Sequence, residues 1–302
     1  MHIPDSMLQG TICPVTASFS LIGIILAAWR SLRTPDQPSP ARFGAVAAMI
    51  FACQMLNFPV MHGTSGHLLG GVVAASLLGI PSGILAIALV VAVQSLVFSD
   101  GGIIVLGANI FNMALIGAGA GGWIYHKLLA RTKTANGRHL AAMSAAWFSV
   151  MLAALAVSLE LALDGQIALI TVLPAMLGAH ALIGVGEAII TAALCAAFAS
   201  VPASGGVRRT ALAPLVAAVV MALLLSPMAS SWPDGLEWVA AKYEFLHESA
   251  PAFTGLLPDY ILPGIRNAWS AGGLAGLFGV VVTFAVGWGA RRILAVRAAP
   301  VT

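Results

Sequence analysis

Charge is what this sequence has least of. Of its 302 residues only 8% are Asp, Glu, Lys or Arg, whereas 60% are hydrophobic, and the mean hydropathy is +0.97. Soluble domains carry about 25% charged residues, so a water-soluble globule is excluded and a polytopic membrane protein is expected. Cysteine is also scarce. Cys13, Cys53 and Cys195 lie in or beside apolar runs without paired spacing, which excludes a disulfide framework and a thiolate metal site. The first ten residues contain no Lys or Arg, whereas a secretory signal opens with a positive region. Met1 is therefore expected to remain in the mature chain, and the bulky second residue His2 should protect it from trimming. No Walker motif, HExxH zinc motif or nucleophile elbow occurs, and nothing points to an enzyme.

What is present in quantity is the apolar run. A helix needs roughly 20 apolar residues to cross a bilayer. Runs near 14–29, 43–58, 68–80, 83–98, 103–125, 140–163, 167–199, 210–227 and 272–290 predict an all-α protein with about nine transmembrane helices. The basic residues cluster between these runs. Arg30, Arg33 and Arg42, then Lys127, Arg131, Lys133 and Arg138, then Arg208 and Arg209, then Arg291, Arg292 and Arg297 include all of the 14 except Lys242 and Arg266. An even number of runs separates each cluster from the next. Because cytoplasmic loops collect Lys and Arg, one orientation puts every cluster in the cytoplasm, with the N-terminus extracytoplasmic and the C-terminus cytoplasmic. Topology accounts for the basic pI of 9.0 without a nucleic-acid partner. The run 68–80 is short, and its glycines suggest a segment packed inside protein, where irregular backbone is tolerated.

The amino end carries the first chemical signal. A free amine at Met1, the His2 amide nitrogen and His2 Nδ1 can close two fused chelate rings, giving three in-plane nitrogens of the kind that suit Ni(II) or Cu(II). Pro4 pushes Ile3 toward extended geometry, so the terminal residues can project as a stiff arm. One equatorial position remains for a second imidazole. The stretch "NFPVMHGTSGHLLGG" from Asn57 to Gly71 lies on the same side by the topology above and offers His67, with His62 as a competitor.

Polar residues inside the runs form a second signal. His180 and Glu187 stand seven apart, nearly two helical turns, on one face, and an intramembrane ionisable residue is read as functional or as a helix cross-link. Asn109 and Asn112 read as packing residues, and Glu160 as interfacial. From Ser226 onward a polar, proline-punctuated excursion of about 40 residues reads as an extracytoplasmic lid or partner surface. Its Trp232, Trp238 and Tyr260 can alternatively anchor at the interface. This divides the chain into a seven-span body, 1–204, and a two-span appendage, 205–302, with its extracytoplasmic segment at about 228–270.

Together, "MHIPD", "NFPV" with "GTSGHLLGG", "FSDGGIIVLGANIFNMALIG" and "HALIGVGEA" resemble the CbiM/NikM substrate-binding components of energy-coupling-factor metal transporters. The later "SPMASSWPDGLEWVA" and "LLPDYILPG" resemble the accessory NikN or PDGLE domain, here fused to the body. The resemblance implies metal ligands at Met1, His2 and His67. It also implies a transmembrane coupling protein and cytoplasmic ATPases as partners, and a multi-pass place in the cell inner membrane. Ni(II) is the expected substrate and Co(II) the runner-up, with no further cofactor. The HxxxxDH pattern of self-sufficient nickel-cobalt permeases is absent. Since every implied ligand lies in 1–204, the appendage is expected to be dispensable for the metal site.

Overall fold

The computed structural model describes residues 2–201, 206–245 and 252–297. The chain is largely helical. Five helices are long and apolar enough to cross a membrane: α1 (Ile12–Arg33), α4 (Ile80–Phe98), α7 (Ala135–Leu163), α8 (Leu169–Phe198) and α12 (Ala268–Arg297), the last over Ala268–Leu294. The remaining apolar runs are helical too, but short or interrupted. They form α2 (Pro40–Gln54), α3 (Gly71–Leu78), and α5 (Leu106–Ile110), which continues through a π-helical stretch, Phe111–Ala120, into α6 (Gly121–Leu129). After a single turn, α9 (Val207–Thr210), comes α10 (Leu212–Val220), running on through Met228 in π and 3-10 geometry, and then α11 (Gly235–Lys242).

Burial explains the arrangement. Helix α2 is enclosed on all sides, with every residue from Ala41 to Gln54 buried. Helix α1 is inside out by comparison with a soluble protein. Its buried face carries Cys13, Thr16, Ser20, Ala27 and Ser31, while Phe19, Leu21, Ile22, Ile25 and Leu26 point outward. Lipid gives apolar side chains no reason to turn inward, so small residues occupy the contacts and large ones meet the acyl chains. Ser20 Oγ, for example, donates to Gly107 O at 2.7 Å.

The short segment α3 positions the site. Eight residues rise only about 12 Å, less than half of a ~30 Å hydrocarbon layer. Glycine makes its burial possible. A Cβ at Gly71 would sit 2.2 Å from the Gly117 carbonyl carbon, so α3 lies directly on the π-helical backbone. The loop before α3 therefore ends deep within the helices, as the short run at 68–80 led us to expect.

At the end rich in basic residues, two arginines counted above as topological charges prove buried. The Arg42 guanidinium donates to Leu77 O and Val201 O, and that of Arg291 to Pro38 O, Ser31 Oγ and Gln37 Oε1. They tie distant segments together, Arg42 through backbone carbonyls and Arg291 through one carbonyl and two side-chain oxygens. At the opposite end the segment after Met228 folds back over the helices. It enters through hydrogen bonds from Ser230 N to Asn57 O and from Ser65 N to Pro233 O, both 2.8 Å. It leaves past Leu257, whose N–H donates to Val97 O at 2.9 Å. The appendage is thus packed onto the body, and α12 lies so close to α2 that a Cβ at Gly44 would meet Phe284 O at 2.7 Å.

The Gly71 contact yields a direct test. Gly71→Val should destabilise the detergent-solubilised chain by ~1–3 kcal/mol or prevent folding, because rigid backbone cannot yield. Gly178→Ala, with no atom within 4 Å of the added Cβ, should leave the thermal midpoint unchanged.

Candidate metal centre

The amino-terminal arm is inserted into the protein rather than projecting from it. Ile3, Met7 and Leu8 are fully buried. Asn109 holds the arm from both sides, accepting from Ile3 N at 2.8 Å and donating to Ile3 O at 3.0 Å, while Gly102 N also donates to Ile3 O at 2.9 Å. Asp5 accepts from Ile104 N at 2.9 Å, and the Asp164 carboxylate accepts from Gln9 N at 2.7 Å. The reading of Asn109 as a packing residue is therefore corrected: a side-chain amide is the group able to satisfy an N–H and a C=O of one residue at once. Asn112 instead donates to Glu160 Oε2 at 2.7 Å. Glu160 is buried against that amide.

Pinned at Ile3, the arm places His2 in the interior. Its ring stacks on that of His67, with centroids 5.1 Å apart and planes 23° from parallel. His2 Nε2 lies 3.0 Å from Gln94 Oε1, and Nδ1 lies 3.2 Å from Asp100 Oδ1. The Asp100 carboxylate only accepts, so Nδ1 bears a hydrogen toward it, and a metal ligated there would displace that hydrogen. His67 also turns its Nδ1 to an acceptor. Its Nδ1 lies 3.1 Å from Leu68 O, which only accepts, so Nδ1 bears the hydrogen. Burial drives the His67 imidazole down to about 3, helped by positive charge nearby, and burial likewise lowers His2.

The His67 loop is built from below. Phe58 and Pro59 pair antiparallel with Gly66 and Ser65, and Gly70 turns the chain into α3 at φ 76°, a conformation glycine adopts without strain. Glu187 accepts from Leu69 N at 2.6 Å and Gly70 N at 3.1 Å, and Gln54 Nε2 donates to Leu69 O at 2.8 Å. His180 does not bond Glu187. Its Nδ1 lies 2.8 Å from Met176 O of its own helix, and with His67 and Asp234 it lines a small cavity beneath the loop. Met1 lies outside the described residues. So does the side chain of His62, whose backbone sits in the turn Met61–Gly63. Among the described residues no three His, Cys, Asp or Glu side chains converge on one point, so a closed site needs backbone or terminal nitrogens as well.

The histidines open into a cleft of about 610 Å³. Its floor includes Gln54, Asp100 and Gly101, and its other wall comes from the appendage: Trp232, Pro233, Asp234, Glu237 and Tyr260. Asp234 caps α11, accepting from Leu236 N and Glu237 N. Removing 201–302 would strip this wall of the cleft, while His2 and His67 both lie in 1–204. Nothing in the order of residues signals this return. Gln94, in an apolar helix, was the one further site residue whose polarity marked it.

Glu187 provides the test of this scaffolding. Glu187→Ala should leave two buried N–H groups without acceptors, at ~1–3 kcal/mol each, and loosen His67. Metal affinity should fall sharply, with Glu187→Gln intermediate, as isothermal calorimetry on the purified chain would report.

Residues 2–204 match the family described as the cobalt uptake substrate-specific transmembrane region, CbiM, and residues 208–296 match the PDGLE domain. A putative fused nickel transport protein, NikMN, of Archaeoglobus fulgidus is 36% identical over 301 residues, covering 97% of this chain and 98% of that protein. The fused nickel transport protein NikMN of Rhodobacter capsulatus is 36% identical over 121 residues, 39% of this chain and 34% of the relative. A crystal structure of a transition metal transporter superposes with a TM-score of 0.59 at 29% identity, covering 67% of this chain and 93% of that one. With a helical fold, a pinned amino-terminal histidine and these two matches in series, the chain belongs to the CbiM family of cobalt-uptake transmembrane proteins and carries a fused PDGLE domain.

Proposed function

We propose that the chain is the substrate-binding membrane component of an ATP-driven energy-coupling-factor importer, and that its substrate is Ni(II). The ligands in this reading are the Met1 amine, the His2 amide and Nδ1, and His67 Nε2. The observation that carries it is the stacking of His2 on His67 across 65 positions of sequence. A planar set of four nitrogens, one a deprotonated amide, favours Ni(II) over Co(II) through its strong ligand field, and copper is excluded by availability rather than affinity. The names of the fused relatives agree with nickel. Planar closure by four protein nitrogens leaves little room for an open coordination position and a base, so in this reading the chain is a carrier and not an enzyme.

In this reading residues 1–204 hold the metal and residues 205–302 form the accessory part. Nine crossings put Met1 outside and the basic loops in the cytoplasm, where a membrane coupling protein and ATPases would engage them. The setting is the inner membrane of the cell. Orientation is tested by single cysteines labelled in whole cells: Thr254 should react with an impermeant reagent from outside, and Asn136 only after permeabilisation. Reversed labelling would refute the orientation. Calorimetry with Ni(II) separates the loop histidines. His67→Ala should abolish tight binding and His62→Ala should retain most of it, whereas equal losses would argue against the assigned fourth nitrogen.

A further inference from the structure

The carboxylate beside the His2 ring belongs to the body, but its second oxygen is held by the appendage. Asp100 Oδ1 lies 3.2 Å from His2 Nδ1, and Asp100 Oδ2 accepts a hydrogen bond from the Tyr260 hydroxyl. Tyr260 is itself firmly set. Its ring stacks on Phe98 with centroids 4.6 Å apart and planes 16° from parallel, and meets Phe51 at 6.1 Å. Asp259 and Tyr260 are consecutive non-glycine residues at φ 55° and 57°, a conformation costing about 1–2 kcal/mol per residue. Such a pair persists only where surrounding contacts over-determine it, and here they direct the hydroxyl at Asp100.

An ion on His2 Nδ1 would take the place that Asp100 Oδ1 now faces, while Gln94 kept hold of Nε2. A divalent ion bound by one deprotonated amide and three neutral nitrogens retains a net positive charge. In a buried site that charge needs an anion within a few ångströms, and Asp100 is already there. The geometry points to Tyr260 as a positioning residue for metal binding, acting through Asp100: the appendage fixes the carboxylate that aligns the His2 ring in the empty site and balances the charge of the loaded one. This rests on the nickel reading above and extends it, because it makes the PDGLE part a contributor to affinity rather than only to transport.

The test uses the full-length chain in detergent, titrated calorimetrically with nickel chloride. Tyr260→Phe keeps the aromatic stack and removes only the hydroxyl; it should weaken binding about tenfold, and Asp100→Asn by about 10–100-fold, the range for partners behind a metal ligand. The metal-free thermal midpoint of Tyr260→Phe should match that of the parent. The double variant should bind no more weakly than Asp100→Asn alone. Parental affinity in Tyr260→Phe, or losses that multiply in the double variant, would overturn the inference. Failure of the nickel reading is distinguishable: there the parent chain would bind no nickel, or His67→Ala would bind as well as the parent. Dependence on His67 with indifference to Tyr260→Phe would strike only the inference drawn here.

Discussion

Asn109 grips the backbone of Ile3 by both its N–H and its C=O, and that grip decides where the chain begins in space. A terminus ordinarily frays, because few contacts offset the entropy of ordering it. Here the cost is offset by burying Ile3, Met7 and Leu8 completely and by bonds from Gly102, Ile104 and Asp164 to the same short segment. His2 is one residue from the clamp, so its ring has little freedom. The metal reading depends on this order, since a chelate that begins at the terminal amine selects strongly only if that amine is delivered to one place.

The second half of the site obeys the same logic. A loop sunk among helices must satisfy its backbone without water, and Glu187 and Gln54 do so for Leu69 and Gly70. The appendage closes the remaining side through the backbone of Trp232 and Pro233, against Ser65. Three distant stretches thus meet at one cleft, each held by polar groups that would be costly in lipid if left unpaired. The apolar exterior supplies the setting, and the buried polar contacts supply the uniqueness.

Much of this was legible in the residues. The apolar runs marked the helices, and glycines around Gly71 marked a segment packed inside. His2 stood out because it follows the terminal amine, and His67 because its loop lies on the same side by the charge pattern. Glu187 stood out because a carboxylate inside an apolar helix must have a partner, although its partners are loop amides rather than His180. What was not legible was long-range return. Arg42 and Arg291 count as loop charges until the chain is folded, when they become buried ties between distant segments. Tyr260 looked like an interfacial anchor because periodicity carries no information about a ring stacked on Phe98 and a hydroxyl aimed at Asp100. Asn109 looked like packing because the backbone it clamps lies 106 positions away.

The central claim is that the terminal amine itself binds the metal, and one added residue tests it. Extending the chain before Met1 converts that amine to an amide and moves the new amine outside the chelate ring beside His2. A free peptide with histidine in third place still binds Ni(II), so peptide chemistry alone predicts survival, whereas a pinned and buried site predicts loss. Nickel uptake should be measured in cells expressing the chain with its partners, with the extension verified as intact by mass spectrometry. The account predicts that uptake is abolished by the extension and retained with a carboxyl-terminal tag of equal length; full uptake by the intact extended chain would contradict it.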